Sequence, residues 1–294
     1  MKKICYTDAM DTLILQFFEE LRSSFGTFLA CLFSLFGETI FLIVVICLIY
    51  WIYDKKFGEK LIAVSFSSMA LNGFLKGMVA RPRPYADGVV TRVDIDTPLL
   101  STTDLESHAS FPSGHSQMSA GLFFTSAFHF KKTWSWIVFP LATLGVMLSR
   151  LYFGVHYPTD VLVGATLGAL FAVFWEFIYQ KAEDKKYIVC AGFALLSIIF
   201  SIICPTKSMV EMCALCVGGA IALPLENKYI DLQNATGIKN RILRAVIGLA
   251  IVGAVYVIFS ILPWQFLWMK WIKYCCLVIV GALAVPMLFK KLKI

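Results

Sequence analysis

The apolar residues of this chain come in blocks about as long as a lipid bilayer is thick, and that fixes what it can fold into. The segment "GETIFLIVVICLIYWIY" (37–53) carries a single charge, Glu38, at its head, and at least eight stretches of the 294-residue sequence approach its character. A helix needs about 20 residues to traverse the hydrocarbon layer. One or two such runs fit inside a soluble core; eight do not. Hydrophobic residues make up 59% of the chain, against roughly 45–50% in soluble domains. The fold class that follows is all-α, a multi-spanning transmembrane helical bundle.

The pattern predicts spans near 25–53 (one crossing with room for an extra half-helix), 58–78, 115–130, 134–150, 159–180, 187–203, 209–225, 242–262 and 272–289. Ahead of them, Leu13, Phe17 and Leu21, with Ile14 and Phe18, recur at helical spacing. That suits an amphipathic segment lying on the membrane surface. The first residues have no apolar core followed by a small-residue cleavage site, so a cleaved signal peptide is not expected. The chain divides into 1–57 (amphipathic segment and first span), 58–186 (a core holding every chemical motif) and 187–294 (further helices of unassigned role). The last part is free to lengthen a lipid groove, pair two copies or stabilise the core. Trp264, Trp268 and Trp271 read as an interfacial belt.

A net charge of +7 raises the question of a nucleic-acid partner. None is expected, because the basic residues sit mostly in short loops and form no basic, aromatic-interleaved surface. Their distribution instead orients the chain. Loops at 53–60, 131–132, 181–186, 226–244 and 290–294 hold fifteen of the 26 Lys and Arg residues. The positive-inside rule puts that side in the cytoplasm. Lys76, Arg83, Arg150 and His156 then share the opposite face, where basic residues need another reason to cluster. A bound anion supplies one.

The nine cysteines follow no regular spacing, so no disulfide framework is expected. Cys213 and Cys216 have redox or zinc spacing but lie in an apolar run without histidine, and read as small buried hydrophobes. The long loop 81–114 is broken from helix by Pro82 and Pro84. Its acids, Asp87, Asp94, Asp96, Asp104 and Glu106, show no metal-ligand spacing, so no metal or other cofactor is expected. His108 reads as loop-exposed and His129 as interfacial beside Lys131 and Lys132.

Three clusters remain. "KGMVARPRP" places Lys76 seven residues before Arg83 at a helix end; "FPSGHS" supplies Ser113, Gly114 and His115 at the next helix start; "SRLYFGVHYPTD" supplies Ser149, Arg150, His156 and Asp160. Arginine meets two oxygens of a tetrahedral anion through its fork, while lysine supplies a point charge. Free N–H groups where a helix opens at Ser113 and Gly114 favour the same ligand. A neutral imidazole held in line is a nucleophile toward phosphorus. Asp160, four residues after His156, can hold the proton of one ring nitrogen and leave the other to attack. His115 is a second imidazole for proton transfer. Taken singly, each has an ordinary reading: a snorkelling arginine, a helix-start histidine, a carboxylate cap. Arg81 either shares the role of Arg83 or faces lipid headgroups, and Asn72, one turn before Lys76, either positions it or packs. Their convergence on one face argues for the joint reading.

In that order the motifs read K-x6-R-P (Lys76 to Pro84), P-S-G-H (112–115) and S-R-x5-H-x3-D (Ser149 to Asp160). The pattern resembles the signature of the type 2 phosphatidic acid phosphatase superfamily, with every position intact over about 58–180. The resemblance implies a helical core shared with soluble acid phosphatases and vanadium haloperoxidases, and a metal-independent phosphatase working through a phosphohistidine. It assigns the nucleophile to His156, its partner to Asp160 and the acid/base to His115. It assigns phosphate contacts to Lys76, Arg83, Ser113, Gly114 and Arg150. The apolar surround suits a membrane lipid phosphate as substrate, with phosphatidic acid, phosphatidylglycerophosphate, undecaprenyl diphosphate and sphingoid phosphates all open. The site would face the non-cytoplasmic side of what the compact loops suggest is a bacterial inner membrane. Two other readings stand beside it: a lipid phosphotransferase using the same phosphohistidine, and a transporter whose basic cluster only binds anions. Beyond about residue 186 the resemblance says nothing firm.

Overall fold

The computed structural model describes residues 9–97, 100–102, 109–261 and 266–294. Cys5, Asp104, Glu106, His108 and Trp264 lie outside them. Twelve α-helices are described: α1 (Ala9–Glu20), α2 (Ser24–Leu35), α3 (Thr39–Leu48), α4 (Lys55–Val79), α5 (Gly114–Phe130), α6 (Ser135–Tyr152), α7 (Pro158–Lys181), α8 (Lys186–Ile203), α9 (Lys207–Leu225), α10 (Gly237–Ile261), α11 (Leu267–Ile279) and α12 (Val285–Leu292). The long loop carries a two-residue antiparallel hairpin, β1 (Asp96–Thr97) with β2 (Leu100–Ser101), in which Asp96 pairs Ser101. Among the described residues, seven helical stretches are long and apolar enough to cross a membrane, eight if the interrupted pair α2–α3 counts as one span. The chain is a multi-spanning, all-α membrane protein.

Helix boundaries follow local chemistry. Ser23 caps α2 by accepting from the Gly26 N–H, one of the donors that a helix start leaves unpaired. The run 25–53 is too long for a single straight crossing, and it breaks at Phe36–Glu38 into α2 and α3. α5 has 17 residues and is unusually polar for such a chain, with Ser116, Gln117, Ser119, Thr125 and Ser126 all buried. Thr125 and Ser126 return their hydroxyls to the Gly121 and Leu122 carbonyls, so the apolar surroundings meet no unpaired hydroxyl at either position. α10 begins at Gly237, five residues before the predicted 242, because the polar "GIKNR" joins the helix instead of the loop.

The chain forms two compact units. One comprises Met1–Leu42 and Phe74–Val173, the other Ile43–Gly73 and Phe174–Ile294. In the first, α7 lies directly on α5. A Cβ added at Gly164 would fall 2.5 Å from the Ser113 carbonyl oxygen, and one at Gly168 would fall closer still to that of Gln117. Two glycines four residues apart therefore give the backbones their approach. That is how helices associate in lipid, where burial of apolar surface offers no drive. Two clusters fill the rest: Leu15, Val90, Leu151, Tyr157 and Val161, and Ala30, Leu100, Tyr152, Phe153 and Val155. Both pack against the short turn between α6 and α7.

The second unit is tied by ionic and hydrogen-bonded pairs. Lys186 meets Glu59 at 2.7 Å, and Tyr187 donates to the same carboxylate. Arg244 donates to the Trp51, Gln233 and Ile294 carbonyls, each at 2.7 Å. Cys213 and Cys216 are both buried here.

Candidate active site

Every residue singled out by the three motifs lies in the first unit. Each sits at a helix end or in the turn beside one. Lys76 occupies the last turn of α4 and donates to the Ala109 carbonyl at 3.0 Å. The chain leaves that helix through Ala80, at φ 47°, and the Arg-Pro repeat carries it past Arg83. Arg83 is buried; its Nη1 donates to the Val155 carbonyl at 3.0 Å and stands 3.4 Å from His156 Nε2. Burial lowers its pKa to about 10, which leaves it cationic at neutral pH.

Ser113 caps α5, its hydroxyl oxygen accepting from the Ser116 N–H and hydroxyl, and its own N–H donates to the Asp160 carbonyl at 3.0 Å. Gly114 and His115 follow in the first turn. Arg150, in the last turn of α6, is fully buried. Its Nη1 donates to Ser34 Oγ at 2.7 Å, while Nε and Nη2 have no hydrogen-bond partner among the described residues. Those two atoms form one edge of the guanidinium, whose parallel N–H bonds match two oxygens of a tetrahedral anion. A buried charge with an unpartnered edge is costly unless something anionic meets it.

His156 lies in the turn before α7 and is 2% exposed. Its Nδ1 stands 3.5 Å from Asp160 Oδ2, longer than a formed hydrogen bond, and such contacts tighten once substrate is bound. Nε2 points the other way, toward Arg83. Asp160 is held from two sides: the Tyr157 N–H donates to Oδ2 at 2.8 Å, and Arg81 Nη1 to Oδ1 at 3.1 Å. The pKa of His156 is pushed well below the usual histidine value, first by burial, then by the charges of Arg83, Lys76, Arg150 and His115. The cations and the second imidazole are therefore close enough to act on one ring. That ring is neutral at neutral pH, the form a nucleophile needs.

Three neighbours were not anticipated in these roles. Glu38, at the break between α2 and α3, places Oε1 2.9 Å from His115 Nε2. A Cβ on Gly37 would sit 2.8 Å from His115 Cβ, so only glycine lets this break lie against the start of α5. Ser34, one turn earlier, anchors Arg150. Arg81 departs from both expectations for it. It is buried, and it grips Asp160, Thr159 and Asp11.

The chain matches the family model described as PAP2 superfamily over residues 58–185 and a second, described as PAP2 superfamily phosphatase, transmembrane extension, over 210–294. It is 32% identical over 155 residues to phosphatidylglycerophosphatase B of Bacillus subtilis, covering 49% of this chain and 67% of that protein. The chain belongs to the PAP2 superfamily of phosphatases. Lipid A 4'-phosphatase of Bacteroides thetaiotaomicron is 27% identical over 190 residues, 60% of this PAP2 chain and 80% of the relative. A solved transmembrane PAP2 type phosphatidylglycerolphosphate phosphatase from Bacillus subtilis matches with a TM-score of 0.49 and 24% identity, over 60% of this chain and 89% of that one. The C-terminal helices, which showed no recognisable motif, fall largely within the family's transmembrane extension.

Proposed function

We propose that this PAP2 member is an integral-membrane lipid phosphate phosphatase that removes a terminal phosphate through a phosphohistidine on His156, on the non-cytoplasmic face. The observation that carries the reading is the opposed placement of the two His156 nitrogens: Nδ1 toward Asp160, Nε2 toward Arg83.

In the first step the lone pair of Nε2 attacks phosphorus while Asp160 holds the Nδ1 proton. The P–O bond to the lipid breaks, and His115, as imidazolium, protonates the departing oxygen. The neutral His115 then takes a proton from water, the oxygen attacks phosphorus, the N–P bond breaks and orthophosphate leaves. Phosphoryl transfer asks chiefly for positioning and charge neutralisation, which Lys76, Arg83 and Arg150 provide, with N–H groups at Ser113 and Gly114. A lipid substrate is supported by the membrane-spanning fold and by the relatives named for lipid A and phosphatidylglycerophosphate.

The test is orthophosphate release by purified protein from a panel of phosphatidic acid, phosphatidylglycerophosphate, undecaprenyl diphosphate and a sphingoid phosphate, with and without EDTA. His156→Ala and His115→Ala should each abolish release while still inserting, and acid-labile, alkali-stable label should be trapped on the wild type. Full activity in His156→Ala would refute the mechanism. A strict Mg²⁺ requirement would remove the metal-free scheme.

A further inference from the structure

Helix α1 has two apolar faces. Ile14, Leu15 and Phe18 pack inward on Val90, Leu151, Tyr157 and Val161, while Met10, Leu13, Phe17 and Leu21 are exposed. Its C-terminal end is fastened by a polar latch. Glu19 accepts from the Thr91 N–H and hydroxyl, and Arg22 donates to the Thr91 and Tyr152 carbonyls. Packing and latch both hold α1 in the first unit. Yet its first turn buries a carboxylate, Asp11, to 6% exposure. Burying an ionised acid is unfavourable unless it is paired.

Its partner is Arg81, which the site already uses. Arg81 Nη2 meets Asp11 Oδ2 at 3.1 Å, and Nη1 meets Asp160 Oδ1 at 3.1 Å and Thr159 Oγ1 at 2.7 Å. The guanidinium lies 3.8 Å over the Tyr157 ring, and the Tyr157 hydroxyl donates to Asp87. The fork is therefore fixed on several sides, and one cation is shared by two carboxylates. That sharing has a chemical consequence. An arginine given wholly to Asp160 would neutralise it and weaken its hold on the His156 N–H. An arginine drawn partly to Asp11 fixes the position of Asp160 and leaves it enough negative charge to orient the imidazole and stabilise it as phosphorus bonds to the other nitrogen.

We propose that Asp11 and Arg81 are positioning residues for Asp160, which makes the amphipathic N-terminal helix a working part of the catalytic site. The proposal rests on the phosphohistidine reading and adds to it a residue outside the three motifs. Neither side chain touches the reacting atoms; both act through Asp160.

The experiment compares full-length wild type, Asp11→Asn, Asp11→Glu, Arg81→Lys and the double variant D11N/R81K in proteoliposomes. Orthophosphate release is followed from whichever lipid of the panel the wild type turns over. A misplacement of about 1 Å remote from the chemistry costs up to about 100-fold. Asp11→Asn should lower kcat about tenfold and leave KM within about twofold, because Lys76, Arg83 and Arg150 are untouched. Asp11→Glu, which keeps the carboxylate, should recover most of the rate. The double variant should be no slower than Arg81→Lys, since both changes break one chain of contacts. A merely structural Asp11 would instead give additive losses in step with a lowered unfolding temperature. Wild-type kcat in Asp11→Asn, or additivity in the double variant, overturns the proposal with the phosphatase reading intact. A wild type that releases no phosphate from any lipid overturns that reading and the proposal with it.

Discussion

Arg150 offers the sharpest test of the proposed phosphate site, because one of its nitrogens is held by the protein and two are left for the proposed ligand. Nη1 is committed to Ser34 Oγ at 2.7 Å, leaving Nε and Nη2 as a two-donor edge. A hydrogen bond from a charged donor contributes about 1.5–3 kcal/mol net. Arg150→Lys keeps the charge but replaces the edge with a single ammonium, so at least one such bond is lost. At about 1.36 kcal/mol per factor of ten, kcat/KM should fall about 10- to 150-fold. Arg150→Ala loses both bonds, about 3–6 kcal/mol, and should cost between about 10² and 10⁴. The assay is the initial rate of orthophosphate release at substrate well below KM, on protein that elutes as wild type in gel filtration and keeps its helical circular dichroism. Ser34→Ala serves as the internal control. It leaves the ligand-facing edge intact and frees only Nη1, so its loss should be smaller than that of Arg150→Lys. Arg150→Lys within about twofold of wild type would refute the two-donor argument, and Ser34→Ala more damaging than Arg150→Lys would show that the anchor, not the edge, is what matters.

The position of His156 fixes a pH dependence. Its pKa is held well below 6.5 by burial and surrounding cations, so as pH falls the ring stays neutral and nucleophilic past the usual histidine range. The acid limb of kcat/KM, after allowance for the substrate's own titration, should lie below pH 6.5, and a limb at or above that value would contradict the burial argument. Glu38→Ala should reduce kcat more than Glu38→Gln, because glutamine retains a hydrogen-bond acceptor for the His115 ring. Equal losses in steady-state rate would show that the contact needs the charge. Gly168→Val places methyl groups where even a Cβ would collide with the Gln117 carbonyl oxygen. Overpacking of this kind costs about 1–3 kcal/mol or more, and the thermal unfolding midpoint in detergent should fall by several degrees.

The parts of the molecule legible in the sequence are those governed by strong, local penalties. Apolar runs of bilayer length leave little choice but helices, and the predicted 115–130 and 187–203 emerge as Gly114–Phe130 and Lys186–Ile203. Basic residues clustered at helix ends away from the basic loops point to an anion before any fold is known. Partnerships across distance were harder to read. Glu38 and His115 are 77 positions apart, and an acid at the head of an apolar run looks like the start of a span. Arg81 and Arg83 occupy the same dipeptide, Arg-Pro, twice over. Nothing local says that the first turns to Asp160 and the second to His156, since the path of the chain after Ala80 decides it. Asp11 looks like an ordinary polar residue on an amphipathic helix until its partner, 70 positions away, is seen beside it. The buried charges of the C-terminal helices, such as Glu211 and Arg244, follow no recognisable motif in the sequence, which is why pattern alone left them unassigned.

One physical constraint unites the site. A charge in the middle of a membrane helix is expensive, whereas a charge at a helix end reaches the interface at much lower cost. Lys76 and Arg150 sit in last turns, His115 and Asp160 in first turns, and Glu38 at a break between two helices. The helix ends therefore assemble the polar chemistry while the helix bodies carry the chain through lipid. Helix starts at Gly114 and Pro158 also direct positive dipole ends toward the turn region. In the second of them Asp160 offsets that field beside His156, whereas Ser113 at the first adds no charge. In the proposed mechanism the anion meets the end that opens α5, and the imidazole is oriented at the end that opens α7. An amphiphile divided into phosphate and hydrocarbon is the substrate such an arrangement suits, since its tail can stay in lipid while its headgroup enters the ring of helix ends.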